Sequence, residues 1–373
     1  MTQAPPFLQD VATGLTRRWL CRSLLASLGL PVLVPLAGCG SFPALEGAQR
    51  VTADGSAAAL LLPLTGSAGA LGQNMGRAAS LVTQGLPVGS APAVIDTGDT
   101  AAGAAAAAQQ AIAGGAKLLL GPLRADQTPA VLAVAGNVPV ITFSNDDTLG
   151  EQGAFVMGIT PAQSVATMFT YAKSQGISRI AVLASDTPFG RATIVAAQQV
   201  AAAGGLVLTA TLLRDPAAGG HLAAITSASG GVVPQAIFIP DGGNALVGLS
   251  EGLSGRGAQL MGSVQWSSGA VLPEGAWYAA PAPDLYQQFA ADFRAAFGVE
   301  AGVIVALGYD ATLVAQGLSS IGQLNDKGLR RAAGFTGVLG PFRFTEDRRC
   351  IRDLAVLRVS GPESSLIAEI EGS

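Results

Sequence analysis

The chain has few of the side chains on which most catalytic sites depend. Its 373 residues are only 12% charged and include three cysteines and one histidine, His221, which follows a Gly-Gly turn and is expected to be solvated. A single histidine excludes a histidine metal cluster and the H-E-x-x-H zinc motif. After residue 38 the sequence also has no G-x-S-x-G, S-x-x-K or Walker motif. We therefore predict a protein that is not an enzyme and that uses neither a metal nor a cofactor.

Positive charge and long apolar runs are scarce as well. The net charge is −4, and after residue 38 adjacent basic residues occur only at 330–331 and 348–349. Nucleic acid is therefore not a predicted partner. Hydrophobic residues make up 49% of the chain, but no 18-residue apolar run follows residue 38. We expect no membrane-spanning helix after that point.

The N-terminal segment has the features of an export signal. An apolar run follows three arginines and ends in LAGC at 36–39. This pattern resembles the lipobox of bacterial lipoproteins, which implies a signal peptide at 1–38, a lipid on Cys39 and a membrane-proximal linker at 39–56. We predict anchoring at the periplasmic face of the cell envelope, and Gly40 in place of an aspartate after the cysteine favours the outer membrane over the inner one. TRRWL at 16–20 resembles a twin-arginine motif, so Sec and twin-arginine export remain alternatives.

The three cysteines leave no pair for a disulfide. Cys21 lies in the predicted signal peptide and Cys39 is the predicted lipid site, so Cys350 has no partner in the mature chain. We predict that Cys350 is a small strand residue and not a reactive thiol.

From residue 57 onward, short apolar strands alternate with helices. Such strands are typical of parallel sheets covered on both faces, and the alternation restarts after 158–161. The sequence therefore predicts an α/β fold with two doubly wound units in tandem. The predicted strands are 58–62, 93–95, 117–120, 138–143, 179–183, 206–212, 236–239, 260–264, 342–344 and 354–359. The predicted helices are 70–84, 101–113, one between 122 and 138, 189–203, 222–227, one from 244, 283–297, 301–318 and a short one ending at 333.

Six segments in the same order carry a family resemblance. They are ALLLPLTGSAGALGQNMGRAASLV at 59–82, LLLGPLRADQTPAV at 118–131, VPVITFSNDDTL at 138–149, RIAVLASDTPFGRA at 179–192, AIFIPDGG at 236–243 and LGYDATLVA at 307–315. Together they resemble type I periplasmic binding proteins, the group that contains the leucine/isoleucine/valine-binding proteins. The resemblance covers 57–359.

The resemblance implies two parallel-sheet lobes joined by three crossovers, near 160, 281 and 340. Lobe one is then 57–160 plus 283–337, and lobe two is 161–282 plus 338–373. Ligands in this family lie between the lobes, at the carboxyl ends of the strands, where loops and helix N-termini converge.

In lobe one, polar residues follow the predicted strands. The candidate ligand-binding residues there are Thr65, Leu123, Arg124, Ser144, Asn145 and Asp146. Arg124 offers a guanidinium that can bind an anion through two hydrogen bonds; the alternative is a solvated arginine beside a helix-capping Asp126. Ser144 and Asn145 offer a hydroxyl and an amide to a polar ligand, and both residue types are also common in turns and N-caps.

In lobe two the candidate ligand-binding residues are Phe189, Asp241, Gln265 and Trp266. Phe189 falls where relatives keep an aromatic that covers the ligand, and a hydrophobic contact with the following helix is the alternative. Gln265 and Trp266 stand where amino-acid-binding relatives place an acid for the ligand ammonium, yet 261–272 contains no acid. Because a buried ammonium needs a paired carboxylate, free branched-chain amino acids are doubtful ligands. Trp266 either stacks on a sugar or apolar group or packs in the core.

We therefore expect a lipid-anchored, non-catalytic ligand-binding protein of the cell envelope. GPL at 121–123, FSND at 143–146, TPFGRA at 187–192 and GVLGPFRF at 337–344 resemble the lipoproteins that activate penicillin-binding proteins. That resemblance implies ligand sensing and stimulation of peptidoglycan synthesis through contact with a penicillin-binding protein. The alternative is the substrate-binding lipoprotein of an amino-acid- or amide-type ABC importer, whose partner is a permease. A structural adaptor that binds no ligand is a third hypothesis.

Overall fold

The computed structural model describes residues 57–87, 90–268, 271–361 and 363–372. The predicted signal peptide, the lipid site at Cys39 and the linker lie outside these residues. Over the described ranges the chain forms two parallel-sheet lobes and a small third sheet. The predicted α/β fold class is confirmed.

Strands and helices alternate through most of the described chain. The strands are β1 Ala58–Leu62, β2 Ala93–Asp96, β3 Leu118–Leu120, β4 Val140–Thr142, β5 Phe155–Val156, β6 Arg179–Ala184, β7 Val207–Leu213, β8 Ala236–Ile239, β9 Gln259–Gly262, β10 Trp277–Ala280, β11 Phe335–Gly337, β12 Gly340–Phe344, β13 Cys350–Arg352, β14 Leu354–Ser360 and β15 Glu363–Ile370. The helices are α1 Gly69–Thr83, α2 Ala101–Ala113, α3 Thr128–Ala135, α4 Thr148–Glu151, α5 Pro161–Ser174, α6 Pro188–Gly204, α7 His221–Ala228, α8 Gly243–Ser250, α9 Pro283–Phe297, α10 Val303–Ser320 and α11 Asp326–Leu329.

Lobe one is built on a sheet of five parallel strands in the order β2-β1-β3-β4-β5. Strands β1 and β3 are fully buried, as their uninterrupted alanine and leucine runs require. Helices α9 and α10 return to this lobe, and α10 packs along α1. Helix α10 is long and apolar enough to cross a membrane, but 56% of it is buried in the protein. It is the core helix of lobe one.

Lobe two is built on a sheet of seven strands in the order β15-β14-β10-β9-β8-β6-β7. The strands from β6 to β10 are parallel, whereas β14 and β15 form an antiparallel hairpin at one edge. Helices α5 and α6 pack on one face of this sheet, and α7 and α8 pack on the other. Each lobe therefore has its own hydrophobic core on both sides of its sheet.

The third sheet corrects the predicted boundary at 338. Strands β11, β12 and β13 pair antiparallel, and Leu339, Phe342, Phe344 and Cys350 are buried in the same core as β1 and α10. The Phe344 ring meets the Phe155 ring edge-on, with 5.2 Å between their centroids. Because this packing keeps the chain in lobe one, the last crossover lies between β13 and β14 and not near 340.

The structure contains one long helix that was not predicted from the sequence. Helix α5 begins at the first crossover, where the Thr160 hydroxyl accepts a hydrogen bond from the backbone N–H of Gln163 and Thr160 is followed by proline. Its apolar face, formed by Val165, Met168, Phe169 and Ala172, has the spacing of a helix, so the sequence contained a usable signal for this element. Strands β5, β10, β11, β13 and β15 were also absent from the prediction.

Candidate functional site

The carboxyl ends of the parallel strands bring together helix N-termini in both lobes. Helices α1, α2 and α3 begin after strands of lobe one, and α6 and α8 begin after strands of lobe two. The first turns of these helices contain no acidic residue. Their backbone N–H groups therefore keep the partial positive charge of the helix dipole, which favours anions.

A buried aspartate organises the strand-end loops of lobe one. Asp99, whose side chain is 6% exposed, accepts hydrogen bonds from Arg124 at Nε (2.6 Å) and Nη2 (3.0 Å). It also accepts from the Ser67 hydroxyl (2.6 Å) and the Ala68 backbone N–H (3.1 Å). Arg124 and Ser67 hold the pKa of Asp99 well below its usual range. The predicted two-bond clamp of Arg124 therefore exists, but in this structure its anion is the protein's own Asp99.

A second aspartate fixes Thr65. The Thr65 hydroxyl donates to Asp96 at 2.7 Å, and the backbone N–H groups of Leu64 and Gly98 donate to the same carboxylate at 2.9 and 2.8 Å. Partial burial raises the pKa of Asp96, but these hydrogen bonds outweigh it and lower the pKa overall. Thr65 is therefore a loop anchor whose hydroxyl hydrogen is already donated.

The loop after β4 contains three of the predicted ligand contacts. Ser144 is buried and its Oγ accepts from the Asp146 backbone N–H at 3.1 Å. Asp146 accepts from the backbone N–H and the hydroxyl of Thr148, at 3.0 and 2.7 Å, and so begins α4. The turn-forming alternative thus describes Ser144, and Asp146, which was predicted only as a ligand contact, also serves the turn. Asn145 is half-buried between them and remains a predicted ligand contact.

In lobe two a serine and an aspartate join the ends of β6 and β8. The backbone N–H of Ser185 donates to Asp241 at 3.1 Å, and its hydroxyl donates to the other carboxylate oxygen. Asp241 is buried, so both of its oxygens are occupied within lobe two. Asp241 therefore holds the loop and uses both of its carboxylate oxygens to accept from Ser185.

Two of the predicted contacts lie at the surface of their loops. Phe189 is half-buried in the first turn of α6, and it belongs to none of the hydrophobic clusters formed by the described residues. The half-exposed Leu123 packs at the edge of the lobe-one core. Phe189 is consequently an aromatic side chain whose packing inside the protein is incomplete, as a ligand cover requires.

Trp266 is a core residue, which removes the stacking alternative. Its side chain is 1% exposed, and its Nε1 donates to the Ile239 carbonyl at 3.0 Å. A Cβ on Gly262 would lie 2.1 Å from the indole, so the ring occupies the space that the glycine leaves. The neighbouring Gln265 is half-buried, and its backbone N–H donates to the Ser263 hydroxyl at 3.1 Å.

The substitution Trp266→Phe is expected to lower stability and to leave ligand affinity unchanged. The buried Ile239 carbonyl would lose its donor, which costs about 1–3 kcal/mol of unfolding free energy. Denaturant unfolding and a binding titration measure the two effects separately. Trp277→Phe, at a half-exposed tryptophan of β10, is the matched control and should cost less. Weakened binding at unchanged stability would place Trp266 at the ligand after all.

Three residues that organise the loops were not predicted from the sequence, and the expected exposure of His221 was wrong. Asp96, Asp99 and Ser185 do not belong to a recognisable sequence motif. The two aspartates nevertheless lie within four residues at the end of a predicted strand, and this spacing could have marked the loop as a candidate site. His221 is buried, and its Nδ1 accepts from Arg214 Nε at 3.1 Å, so it is not solvated as expected. Cys350 is a buried residue of β13. Among the described residues no cluster of three potential metal ligands occurs.

Two parallel-sheet lobes with helix N-termini at their strand ends define a two-lobed ligand-binding protein. The chain belongs to the periplasmic binding protein family, whose model matches residues 57–364. Comparison with curated proteins gave no match.

Solved structures of solute-binding proteins resemble this chain over most of their length. A putative branched-chain amino acid ABC transporter protein from Rhodospirillum rubrum is 20% identical, with a TM-score of 0.71, and the match covers 84% of this chain and 100% of that one. An ABC transporter solute-binding protein from Rhodopseudomonas palustris, in complex with 3,4-dihydroxybenzoic acid, is 22% identical, with a TM-score of 0.65 and coverage of 84% and 97%. A leucine-binding protein from Thermotoga maritima is 20% identical, with a TM-score of 0.61 and coverage of 84% and 98%. At these identities the likeness establishes the fold alone.

Proposed function

We propose that this protein is the solute-binding component of an ABC importer and captures a small organic carboxylate between its lobes. The observation that carries the proposal is the convergence of acid-free helix N-termini with Arg124 at the strand ends. Backbone N–H groups and a guanidinium are the donors that carboxylates prefer. The Arg124 side chain is 43% exposed, and its Nη1 forms no hydrogen bond within the described residues.

The carboxylates of these loops argue against a ligand with an ammonium group. Asp99 is paired with Arg124, Asp241 accepts both polar groups of Ser185, and Asp186 is paired with Arg191. The segment 261–272 contains no acid. An enclosed ammonium without a carboxylate partner is costly. We therefore favour a carboxylate without an amino group over a free amino acid.

The comparisons support the importer hypothesis better than the activator hypothesis. The three similar structures named above are proteins of transport or amino-acid binding, and one of them holds an aromatic acid. None of them is described as an activator of a penicillin-binding protein, so the predicted resemblance to that group receives no support. An aromatic carboxylate is a ligand of the class proposed here.

Capture would work through lobe closure. A ligand that contacts both lobes stabilises the closed arrangement and shifts the population toward it. Lobe one would offer Arg124 and Asn145, and lobe two would offer the N-terminus of α6 with Phe189 over the ring or chain of the ligand. The closed form would then present its rims to a permease. A lipid on Cys39 would keep the protein at the periplasmic face of the membrane.

A thermal-shift series tests the ligand class. At a hundred times its dissociation constant, a true ligand adds about 2.7 kcal/mol to the unfolding free energy. We expect such a shift from 3,4-dihydroxybenzoate or a related carboxylate, and none from the neutral 3,4-dihydroxybenzamide or from leucine. A comparable shift by leucine would overturn the argument from the missing carboxylate. A shift by muropeptides, with capture of a penicillin-binding protein, would favour the activator hypothesis instead.

A further inference from the structure

The first and third crossovers leave lobe one side by side. The Val156 backbone N–H donates to the Arg348 carbonyl at 3.0 Å, and Val156 pairs with Arg349 as an isolated parallel bridge. Asp353, which begins the third crossover, donates its backbone N–H to the Pro341 carbonyl of lobe one at 3.1 Å. The two crossovers therefore start from adjacent backbone that is hydrogen-bonded to lobe one.

The first crossover also lies against the candidate ligand loop after β4. The Met157 backbone N–H donates to the Thr142 carbonyl at 3.0 Å. A Cβ on Gly158 would lie 2.3 Å from the Ser144 carbonyl oxygen and 2.6 Å from that of Phe143, so the crossover touches the loop backbone directly. A change in the path of this crossover would therefore displace the loop.

Gln163, in the first turn of α5, ties the two crossovers together across the lobes. Its Nε2 donates to the Cys350 carbonyl of β13 at 2.7 Å, and its Oε1 accepts from the Thr160 backbone N–H at 2.9 Å. Helix α5 packs in the lobe-two core, whereas Cys350 lies in the lobe-one core. Gln163 is 3% exposed, so water does not compete for these bonds.

The lobes are not closely packed around this bond. A cavity of about 570 Å³ lies beside it, with Ala162 and Ala166 of α5 on one side and the segment 345–351 of lobe one on the other. The second crossover, Pro-Ala-Pro at 281–283, has a backbone N–H only at its alanine. The side chain of Gln163 therefore supplies an interlobe contact where close packing does not.

We propose that Gln163 is a positioning residue that makes the first and third crossovers act as one pivot. With its bond to Cys350 in place, the lobes turn about the paired crossovers. Without the bond, α5 and β13 separate more easily, and the lobes sample more arrangements, fewer of which bring the two halves of the site together. Ligand affinity then falls, because a smaller fraction of the protein is competent to bind. Only this effect on affinity rests on the proposed function.

Gln163→Glu separates the pivot from the helix cap. Glutamate is the usual residue at this position of a capping box and can still accept from Thr160, but an ionised carboxylate has no hydrogen to donate to Cys350. In hydrogen exchange of the full chain without ligand, we expect protection of the peptide containing 350–353 to fall about two- to tenfold. The Asp353 amide is a suitable reporter, because its own hydrogen bond lies within lobe one and is not removed by the substitution. Titration with the best carboxylate of the thermal-shift series should show a loss of affinity by a similar factor.

Gln259→Glu is the matched control. Gln259 Nε2 donates to the carbonyls of Leu260 and Gly275, which both belong to lobe two. This variant should leave protection of 350–353 and ligand affinity unchanged. Equal losses of protection in Gln259→Glu and Gln163→Glu would overturn the proposal, as would wild-type protection of 350–353 in Gln163→Glu.

Thr160→Ala tests whether Gln163 acts only as a cap. It removes the hydroxyl that accepts from the Gln163 backbone N–H, and it should raise exchange in the first turn of α5 but not at 350–353. If it lowered protection of 350–353 as much as Gln163→Glu does, Gln163 would be a helix cap and not part of a pivot.

Gln163→Met provides the same test if the buried carboxylate prevents folding, because methionine has neither a charge nor a hydrogen-bond donor. Its loss of protection at 350–353 should exceed that of Thr160→Ala, and an equal or smaller loss would overturn the proposal. A loss of protection in a protein for which the screen finds no carboxylate ligand would support the pivot and count against the proposed function alone.

Discussion

Asp310→Ala is expected to lower the free energy of unfolding by about 3–5 kcal/mol, because it leaves a buried arginine without its counter-charge. Asp310 and Arg352 are both 0% exposed, and their carboxylate and guanidinium are 3.7 Å apart. On its other side the Arg352 guanidinium lies 4.5 Å from the Phe342 ring centroid. Asp310 is therefore the main compensation for this charge.

Asp310 also holds the turn between β11 and β12. It accepts from the backbone N–H groups of Val338 and Leu339 at 2.7 and 3.2 Å. A Cβ on Gly337 would lie 2.2 Å from the carboxylate carbon, so the turn closes directly onto the side chain. Burial raises the pKa of Asp310 to about 6, against the lowering effects of Arg352 and these two N–H groups. The substitution would thus unpair the turn as well as the arginine.

Denaturant unfolding followed by circular dichroism measures this effect. Arg294→Ala is the matched control, because Arg294 and Glu300 form an exposed pair that is worth about 0–1 kcal/mol. The double variant Asp310→Leu/Arg352→Met removes both charges and should recover the part of the loss that comes from the unpaired arginine, but not the part that comes from the N–H groups of the turn. If Asp310→Ala were no more destabilising than Arg294→Ala, the pair would not be the buried charge centre described here.

The parts of the fold that follow from local pattern were predicted well. The helices at 101–113 and 283–297 have those bounds in the structure, because Thr100 caps the first and proline begins the second. Helix α5 was missed although Val165, Met168, Phe169 and Ala172 have helical spacing and pack in the lobe-two core, and the contact of Gln163 with β13 could not be foreseen from the sequence. Strand β15 was missed because it is a half-exposed edge strand with a polar sequence.

The sequence predicted the location of the candidate site better than it predicted what each side chain in the site does. Strand-end loops could be placed from the alternation of strands and helices, but pairs such as Asp99 with Arg124 and Ser185 with Asp241 join residues 25 and 56 positions apart. Sequence spacing does not reveal that a side chain is already engaged by such a partner. Trp266 could not be assigned for the same reason, since its pocket depends on the missing side chain of Gly262.

Arg124→Ala is expected to weaken binding of the best carboxylate ligand by about 10–150-fold, the loss of one charged hydrogen-bonding group worth about 1.5–3 kcal/mol. Arg124 combines a guanidinium held in place by Asp99 with an Nη1 that is not used inside the described chain. Its removal would also leave the Asp99 carboxylate beside the incoming anion, which adds repulsion to the loss of a donor. Calorimetric titration of wild type and variant with the same ligand measures the change.

The controls separate charge, geometry and general damage. Arg124→Lys retains the charge but loses the planar two-bond contact, so we expect a smaller loss of affinity than for alanine. Arg179→Ala removes a positive charge at the start of β6, the opposite end of the strand from the site, and should leave affinity unchanged. Equal losses in Arg124→Ala and Arg179→Ala would indicate a general charge effect. Unchanged affinity in Arg124→Ala would mean that Arg124 serves only to neutralise Asp99, and the helix N-termini would then have to hold the ligand anion alone.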